Sequence, residues 1–434
     1  MKHSSHTIAL LPAVLLAVAT LIISCSTDDD YRHIIPKDAV AVGRVNLSAL
    51  PQLAAVSQLG SLCSDTDKPY YLFATRSGYY GLIATSADAQ QASGYQWSAI
   101  GKDWLMASNG TNTLVMGPAR GREQDNLRRE MQRYLRQESK SSAIGTPLLE
   151  TVETQSTPAA LAIAPEALPM ELRQLLASEL GIRSAADALL LATIAADADT
   201  IAAHLTIVNA TQTVEARMQV LDETFFHKIS GQMVRITPPA TSLFVIANLD
   251  GSHILKALRS TEMVRTALVA MNTVADVDAI LAAIRGDISL AVTRWNEGTD
   301  AEAVLTATVA SKQFMKQSDY WVESAARQNS YTFTPLSRRR FAFSMNDISL
   351  WFGQRDDQVY VASTDSLSQV GTHTGDRYLR TRQHDIAGLR LYATLDLTGQ
   401  PLFNDLAQLG LKRISIAMPR TGELDIKAVI DSEK

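Results

Sequence analysis

The sequence has little cysteine and, beyond its first residues, no long hydrophobic run. Only two of the 434 residues are cysteines, Cys25 and Cys63. A chain with so few thiols cannot rely on a disulfide framework, so its fold must rest on an apolar core. Hydrophobic residues make up 46% and charged residues 20% of the chain, as in ordinary globular proteins. Because no apolar run after residue 24 reaches the roughly 20 residues of a transmembrane helix, we expect no membrane-spanning helix in that part.

A strong excess of one charge is also missing. The formal net charge is −5 at pH 7, which is mildly acidic for a chain of this length. A nucleic-acid-binding protein presents a basic patch that neutralises phosphates. We therefore expect no nucleic-acid partner.

The sequence lacks the short motifs that mark common catalytic and cofactor-binding sites. It has no GxxxxGK[ST] or GxGxxG phosphate loop, no HExxH pair, no paired CxxC and no GxSxG elbow. The eight histidines show no metal-ligand spacing. We therefore predict no catalytic, cofactor-binding or metal-binding residue and favour a protein that is not an enzyme. The alternative is a hydrolase whose paired carboxylates meet only in the folded chain.

The first thirty residues carry the most specific pattern. Lys2 precedes an apolar run over residues 8–23, whose length and position are typical of a signal peptide. The run ends in Ile22-Ile23-Ser24-Cys25, which resembles the lipobox of bacterial lipoproteins. The resemblance implies cleavage before Cys25, diacylglycerol on its sulfur and fatty acylation, such as palmitate, of the new N-terminus. Two or more acyl chains anchor a protein stably. The alternative is a plain secretory signal with an incidental cysteine.

A short acidic stretch follows the predicted lipidation site. Asp28, Asp29 and Asp30 lie in a polar segment that cannot pack into a core. The segment resembles the acidic export signal that some Gram-negative lineages place after the lipidated cysteine. That resemblance implies a protein anchored in the outer membrane and displayed at the cell surface. The alternative is an ordinary solvated tether. Three adjacent carboxylates lack the spacing of a calcium loop.

Two parts of the chain repeat the same landmarks in the same order. These are a proline turn before a short apolar strand, a hairpin that contains tryptophan, and a Leu-Gly helix end before two final strands. The matched positions are Pro36 and Pro238, Asn46 and Asn248, Trp104 and Trp351, and Gly181 and Gly410. We therefore predict a tandem duplication with largely buried tryptophans. The second copy is longer, and we assign the surplus to a helix at 274–284 and a strand at 288–292.

Hairpins dominate the pattern and long βαβ crossovers are few. We therefore predict an α+β fold of two tandem related domains, each a mainly antiparallel sheet covered by helices. The predicted boundaries are a signal peptide over 1–24, a lipidated acidic tether over 25–34, a first α+β repeat domain over 35–212, a connecting helix over 213–232 and a second α+β repeat domain over 233–434.

Three features are candidates for ligand contact. Arg338, Arg339 and Arg340 precede a strand and suit a phosphate or sulfated glycan, although such a cluster also guards a strand edge. A charged helix over 122–140 suits an anionic partner, or is simply a solvated helix face. Its predicted inward residues are Leu127, Met131, Tyr134 and Leu135, and its arginines are Arg128, Arg129, Arg133 and Arg136.

The third candidate is a group of tyrosines around the turn at Ser77-Gly78. Tyr70, Tyr71, Tyr79 and Tyr80 form either an exposed aromatic platform for a glycan or a cross-strand packing group. The residue pattern favours neither interpretation.

Two phrases carry a family resemblance. The lipobox and acidic spacer are followed by Tyr31 and by Ile-Pro-Lys-Asp-Ala over residues 35–39, and Arg285-Gly286-Asp287-Ile288-Ser289-Leu290 is a second such phrase. Both are similar to phrases of a domain-of-unknown-function family of Gram-negative surface lipoproteins. The resemblance covers the mature chain and implies no activity, cofactor or catalytic residue. We therefore expect a lipid-anchored, non-enzymatic binding or scaffold module with a protein or glycan partner.

Overall fold

A computed structural model gives the fold of most of the chain. It describes residues 31–46, 48–50, 68–85, 94–109, 112–119, 124–260, 276–295, 301–311, 318–327, 331–345, 348–369, 375–400, 403 and 410–430. Within these ranges, no helix has the length and apolar character needed to cross a membrane.

The chain divides into two compact units. Unit 1 is Met1–Arg217 and unit 2 is Met218–Lys434. The division falls within a helix, Gln212–Thr224, that overlaps the predicted connecting helix. The other domain boundaries stay predictions.

Unit 1 is built from antiparallel hairpins. Its described strands run in the order β4-β5-β6-β3-β2-β1-β7-β8-β9. They are β1 Ala39–Val45, β2 Tyr70–Thr75, β3 Tyr80–Thr85, β4 Gln96–Ile100, β5 Trp104–Ser108, β6 Asn112–Gly117, β7 Ala159–Ile163, β8 Leu189–Ala196 and β9 Thr200–Val208. The central strand β1, AVAVGRV, is buried on nearly every residue, as expected for a strand with neighbours on both sides.

Along the chain, the helices of unit 1 alternate with these strands or precede and follow them. The α-helices are α1 Gln124–Arg136, α2 Pro147–Glu153, α3 Met170–Leu175 and α4 Gln212–Thr224, which crosses into unit 2. A π-helical turn, Leu176–Leu180, continues α3, and 3₁₀ helices span Tyr31–Ile34, Ser139–Ser141 and Pro165–Ala167. The π turn ends at Gly181, whose φ of +76° confirms the predicted glycine cap.

Unit 2 has described strands in the order β14-β15-β16-β17-β13-β12-β11-β18-β19-β20, and β10 pairs with the end of β11. Its strands are β10 Phe226–His227, β11 Leu243–Asp250, β12 Ile284–Trp295, β13 Ala301–Val309, β14 Thr332–Ser337, β15 Arg340–Met345, β16 Ile348–Arg355, β17 Gln358–Ala362, β18 Leu391–Asp396, β19 Leu411–Met418 and β20 Glu423–Ile430. Its helices are the 3₁₀ helix Met233–Ile236, α5 Gly251–Ser260, α6 Val277–Ala282, α7 Ser318–Arg327, α8 Arg377–Thr381 and α9 Gln383–Ile386.

The predicted α+β class, in which helices cover the sheets of two related domains, is wrong. Strand makes up 43% and helix 28% of the structure, and each unit is mostly antiparallel sheet. Helices α6, α8 and α9 are too short to form a covering layer. Antiparallel hairpins satisfy their own backbone hydrogen bonds and tolerate one solvated face, so this fold does not require a complete helical layer.

The strand order within unit 2 nevertheless matches the order within unit 1. Strands β1, β2 and β3 correspond to β11, β12 and β13, and β7, β8 and β9 correspond to β18, β19 and β20. The hairpin β5–β6 corresponds to β16–β17. Helix α7 and strand β14 have no counterpart among the described residues of unit 1. Residues 288–292 belong to β12, the counterpart of β2, so their predicted assignment to the surplus is wrong.

Trp104 and Trp351 lie on the corresponding strands β5 and β16. Both side chains are half-buried, so the prediction of largely buried tryptophans is wrong. The fully buried tryptophan is Trp321 of α7, which packs edge-on against Phe333 at a centroid distance of 6.0 Å. A hairpin position alone therefore does not decide burial.

Candidate functional site

The residues predicted to carry the lipid and the export signal are Cys25, Asp28, Asp29 and Asp30. All four lie outside the described residues, so these assignments stay predictions. The described chain begins at Tyr31.

The first described segment is held tightly to unit 1. Arg32 forms an ion pair with Glu153 of α2 at 3.1 Å. Glu153 also accepts a hydrogen bond from the buried Tyr71 hydroxyl. Burial, together with this carboxylate, raises the pKa of Tyr71 far above its usual value, so the hydroxyl stays protonated. The last residues of the predicted tether, from Tyr31 to Ile34, are thus fixed to the core.

The three consecutive arginines differ in their surroundings. Arg338 and Arg339 are exposed in the turn between β14 and β15. Arg340 forms an ion pair with Asp365, and its guanidinium donates to Ser368 Oγ at 2.7 Å. Because the charge of Arg340 is already paired, the predicted anion contact rests on Arg338 and Arg339.

The four tyrosines do not form one exposed platform. Tyr70 and Tyr71 are only 1% and 3% exposed, Tyr79 is half-buried, and Tyr80 is 53% exposed. Three of the four therefore contribute to packing along β2 and its turn, which favours the cross-strand interpretation.

Helix α1 matches its predicted faces. Leu127, Met131, Tyr134 and Leu135 are buried, and all four belong to the main core of unit 1. Their helical spacing places the intervening residues on the opposite face. That face carries exposed guanidinium groups, on Arg128, Arg129, Arg133 and Arg136. The sequence therefore predicted both sides of this helix.

A groove of about 840 Å³ opens beside the polar face of α1. We call it the basic groove, because four cationic side chains and one carboxylate line it, together with polar groups. Its lining residues are Pro36, Lys37, Asp38, Arg129, Gln132, Arg133, Tyr134, Arg136, Gln137 and Ser141.

The walls of the basic groove are joined by hydrogen bonds. Gln137, just after α1, donates through Nε2 to the His33 and Ile35 carbonyls at 2.6 and 3.0 Å. Pro36 and Ser142 form an isolated antiparallel bridge. These bonds hold the segment before β1 against the end of α1. The groove is therefore a fixed feature of unit 1.

Electrostatics keep the groove positive. Arg133 forms an ion pair with Glu130 at 2.6 Å and donates to the Tyr134 hydroxyl at 3.2 Å. Burial lowers the pKa of Arg133, but Tyr134, Glu130 and Asp38 outweigh it, so the guanidinium stays charged. Burial and then the Glu130 charge raise the pKa of Tyr134 to about 12, so its hydroxyl stays neutral.

Two cations of the groove have no carboxylate partner. Lys37 and Arg136 form no ion pair with any residue that the structure describes, and both are exposed. Arg129 is hydrogen-bonded to the neutral Asn126 side chain. The lining therefore leaves three cations available to an anion.

In the described part of the chain, no group of three or more His, Cys, Asp or Glu side chains is arranged to hold a metal ion.

The arginines of α1 were predicted from the sequence, but the groove that they line was not. Lys37 and Asp38 precede α1 by many residues, and only the strand pairing brings the two segments together. The available sign was the Ile-Pro-Lys-Asp-Ala phrase, because it contains Pro36, Lys37 and Asp38 of the groove wall.

The second family phrase has a structural explanation. Arg285 forms an ion pair with Asp250, which caps α5 by accepting from the Ser252 N–H at 2.9 Å. Gly286 adopts a φ of +129°, a backbone conformation that side chains rarely tolerate. The buried Asp287 accepts from the Ser230 N–H at 3.0 Å and from its hydroxyl at 2.6 Å. The phrase therefore ties β12 to two neighbouring segments.

Comparison with known proteins identifies a family for this chain. The model of a family described as a domain of unknown function, DUF4836, matches residues 83–376. No curated protein matches the chain. Two solved structures, crystal forms I and III of TP0453, are distantly similar. Form I is 10% identical, covers 46% of this chain and 87% of that chain, and has a TM-score of 0.26. For form III the values are 9%, 47%, 90% and 0.25.

Proposed function

The chain belongs to the DUF4836 family of domains of unknown function, and we propose that it is a lipid-anchored envelope lipoprotein that binds an anionic glycan in its basic groove. The observation that carries the proposal is the charge of the lining, which has four cations and one carboxylate. An anionic ligand gains charge-assisted hydrogen bonds there.

The spacing of the arginines suits a polymer. Arg129, Arg133 and Arg136 are separated by four and three residues of α1. A helix rises about 1.5 Å per residue, so the three positions follow one another roughly 6 and 4.5 Å apart along the axis. Each guanidinium offers a planar fork of donors that matches carboxylate, phosphate or sulfate oxygens. A glycan with repeated anionic groups engages several of them at once.

The remaining lining suits the uncharged part of a glycan. Gln132 and Ser141 offer amide and hydroxyl groups, which hydrogen-bond to sugar hydroxyls. Asp38 is the single carboxylate among the described lining residues. Carboxylate-based glycoside hydrolysis uses two carboxyl groups flanking the bond. This supports binding rather than hydrolysis in the groove.

The test uses the full chain in detergent micelles, with heparin and dextran sulfate as anionic probes and dextran as the uncharged one. We expect the sulfated probes to bind and the double variant Arg129→Ala, Arg136→Ala to bind them between about 2- and 30-fold more weakly, because an ion pair of an exposed side chain contributes about 0.2–1 kcal/mol. Titration calorimetry at several salt concentrations should also show a smaller salt dependence for this variant.

The matched control is the double variant Arg76→Ala, Arg173→Ala. Both of these arginines are exposed in unit 1, outside the groove lining. The control changes the net charge by the same amount, so it separates a local site from general attraction. Equal losses in the two double variants would refute the proposed site.

The predicted anchor is tested by Cys25→Ser. Without the thiol no diacylglycerol can be attached, so we expect the protein to leave the membrane fraction or to stay uncleaved. Replacing Asp28, Asp29 and Asp30 by Ala should reduce cleavage by protease added to intact cells, if the acidic residues direct surface export. Unchanged membrane association of a normally cleaved Cys25→Ser protein, or unchanged protease cleavage of the Asp variant, would remove the corresponding part of the proposal.

A further inference from the structure

Unit 2 contains a second groove, of about 530 Å³, which we call the polar groove. It opens beside the segment before β11, next to α8 and to the facing parts of β18 and β19. The residues that carry the argument are Ala240, Asp376, Arg377, Asp396, Gln400 and Arg413, all of which line it.

The polar groove occupies the place in unit 2 that the basic groove occupies in unit 1. Each groove opens beside the residues that lead into the central strand, β1 or β11. Each is also lined by the first helix described after the corresponding strands β6 and β17, which is α1 or α8. The same strand order thus forms a concave site at the same position in both units.

The charges of the polar groove neutralise one another. Arg413 forms an ion pair with Asp396, whose other oxygen accepts from the Thr398 N–H at 3.0 Å. Burial raises the pKa of Asp396, but the hydrogen bonds from Thr398 and Arg413 outweigh this effect. The pKa therefore lies below its usual value, and the carboxyl is ionised. Arg377 and Asp376 add one further charge of each sign. The lining therefore has two cations and two carboxylates.

The aromatic ring in the groove is not available as an apolar platform. The guanidinium carbons of Arg413 and Arg382 lie 3.5 and 4.9 Å from the Tyr378 ring centroid. Both cations are stacked on this ring, so recognition has to use the polar groups around it.

Several of those polar groups still have hydrogen-bonding capacity. Arg377 and Gln400 make no side-chain hydrogen bond with any residue that the structure describes, and both line the groove. Asp376 accepts the Leu379 N–H through one oxygen as the cap of α8, which leaves its second oxygen for a ligand. Ala240, at the rim, has a φ of +57°. A non-glycine residue in this conformation is strained, and such strain concentrates at functional sites.

We propose that the polar groove is a second binding site and that it takes an uncharged, hydroxyl-rich ligand such as a hexose unit of a glycan. A sugar hydroxyl both donates and accepts, so it fits between a carboxylate oxygen and a guanidinium or amide donor. Because the two cations and two carboxylates of the lining balance, the site offers no comparable gain to a strongly anionic ligand.

The experiment uses the full chain in detergent micelles and a panel of neutral oligosaccharides built from glucose, mannose, galactose and N-acetylglucosamine. Saturation-transfer NMR identifies a binder, and titration calorimetry measures its affinity. The double variant Arg377→Ala, Gln400→Ala should weaken that affinity by about a hundredfold, at about tenfold for each lost hydrogen bond. The matched control, Arg76→Ala with Gln232→Ala, replaces exposed side chains outside the lining and should bind like the wild type.

Three results would overturn this assignment. They are no binding of any neutral sugar in the panel, unchanged affinity in the Arg377→Ala, Gln400→Ala variant, and a sulfated probe competing for this groove more strongly than the neutral sugars. The Arg129→Ala, Arg136→Ala variant should retain neutral-sugar binding. The experiments can therefore refute the proposed binding site in one groove without refuting the one in the other groove.

Discussion

The carboxylate of Asp287 offers the sharpest test of how the second family phrase stabilises unit 2. Asp287 is 3% exposed and lies in β12. Its two oxygens accept from the Ser230 N–H at 3.0 and 3.1 Å, and one also accepts from the Ser230 hydroxyl at 2.6 Å. The perturbation is Asp287→Ala, which removes the acceptors and leaves both donors of Ser230 unmatched.

The magnitude follows from the two donors. A hydrogen bond to a charged group contributes about 1.5–3 kcal/mol. Ser230 is itself exposed, so water can replace part of the loss and the low end applies. We therefore expect Asp287→Ala to lower the free energy of unfolding by about 3 kcal/mol. For a unit of this size that corresponds to a fall in Tm of roughly 5–10 °C.

Differential scanning calorimetry, with circular dichroism to follow the same transition, measures this shift. Asp287→Asn keeps the shape and one acceptor, so it should cost about 1 kcal/mol. Asp319→Ala replaces an exposed carboxylate on α7 and should cost less than about 1 kcal/mol. If Asp287→Ala melts within about one degree of the wild type, the carboxylate does not stabilise unit 2 as argued.

Two further predictions concern acid stability and the core. Burial raises the pKa of Asp250, but its hydrogen bonds with Ser252 and the charge of Arg285 outweigh this, so its folded pKa lies below the usual value. Its stabilising contribution is thus present above the unfolded pKa near 3.8 and lost as pH falls through the folded value. The Tm difference between wild type and Asp250→Asn should therefore shrink from pH 7 to pH 3, and a constant difference would contradict this. Met131→Ala, at a fully buried position, should destabilise unit 1 by about 2–5 kcal/mol in urea unfolding, whereas Arg128→Ala should stay within about 1 kcal/mol.

Local patterns were predictable from the sequence. The inward residues of α1 follow from helical spacing alone, because residues three and four apart share a face. The hairpin from Trp104 to Gly117 follows from its turn, in which the Asn109 side chain accepts from the Asn112 N–H at 2.7 Å. The landmark tryptophans also fall on corresponding strands. In each case the deciding interactions lie within a few residues of one another.

Features that depend on distant segments were not predictable. The burial of Tyr70 depends on neighbours that only strand pairing supplies, so its residue type and turn position left two interpretations open. The basic groove needs Lys37 beside Arg136, and the polar groove needs Arg377 beside Gln400. The predicted helical layer failed for the same reason, because apolar periodicity shows that a segment has a buried face without showing what covers it.

The two faces of α1 also bear on how this family can diversify. The inward face is set by core packing, where replacing a residue such as Leu127 leaves a cavity and endangers the unit. The outward face is in water, where exchanging Arg129 or Arg136 changes stability by only about 0.5 kcal/mol. Single substitutions there can therefore change the charge of the groove, and with it the proposed ligand preference, while the fold stays unchanged. Selection can then act on recognition and on folding as separate traits, carried by neighbouring residues of one helix.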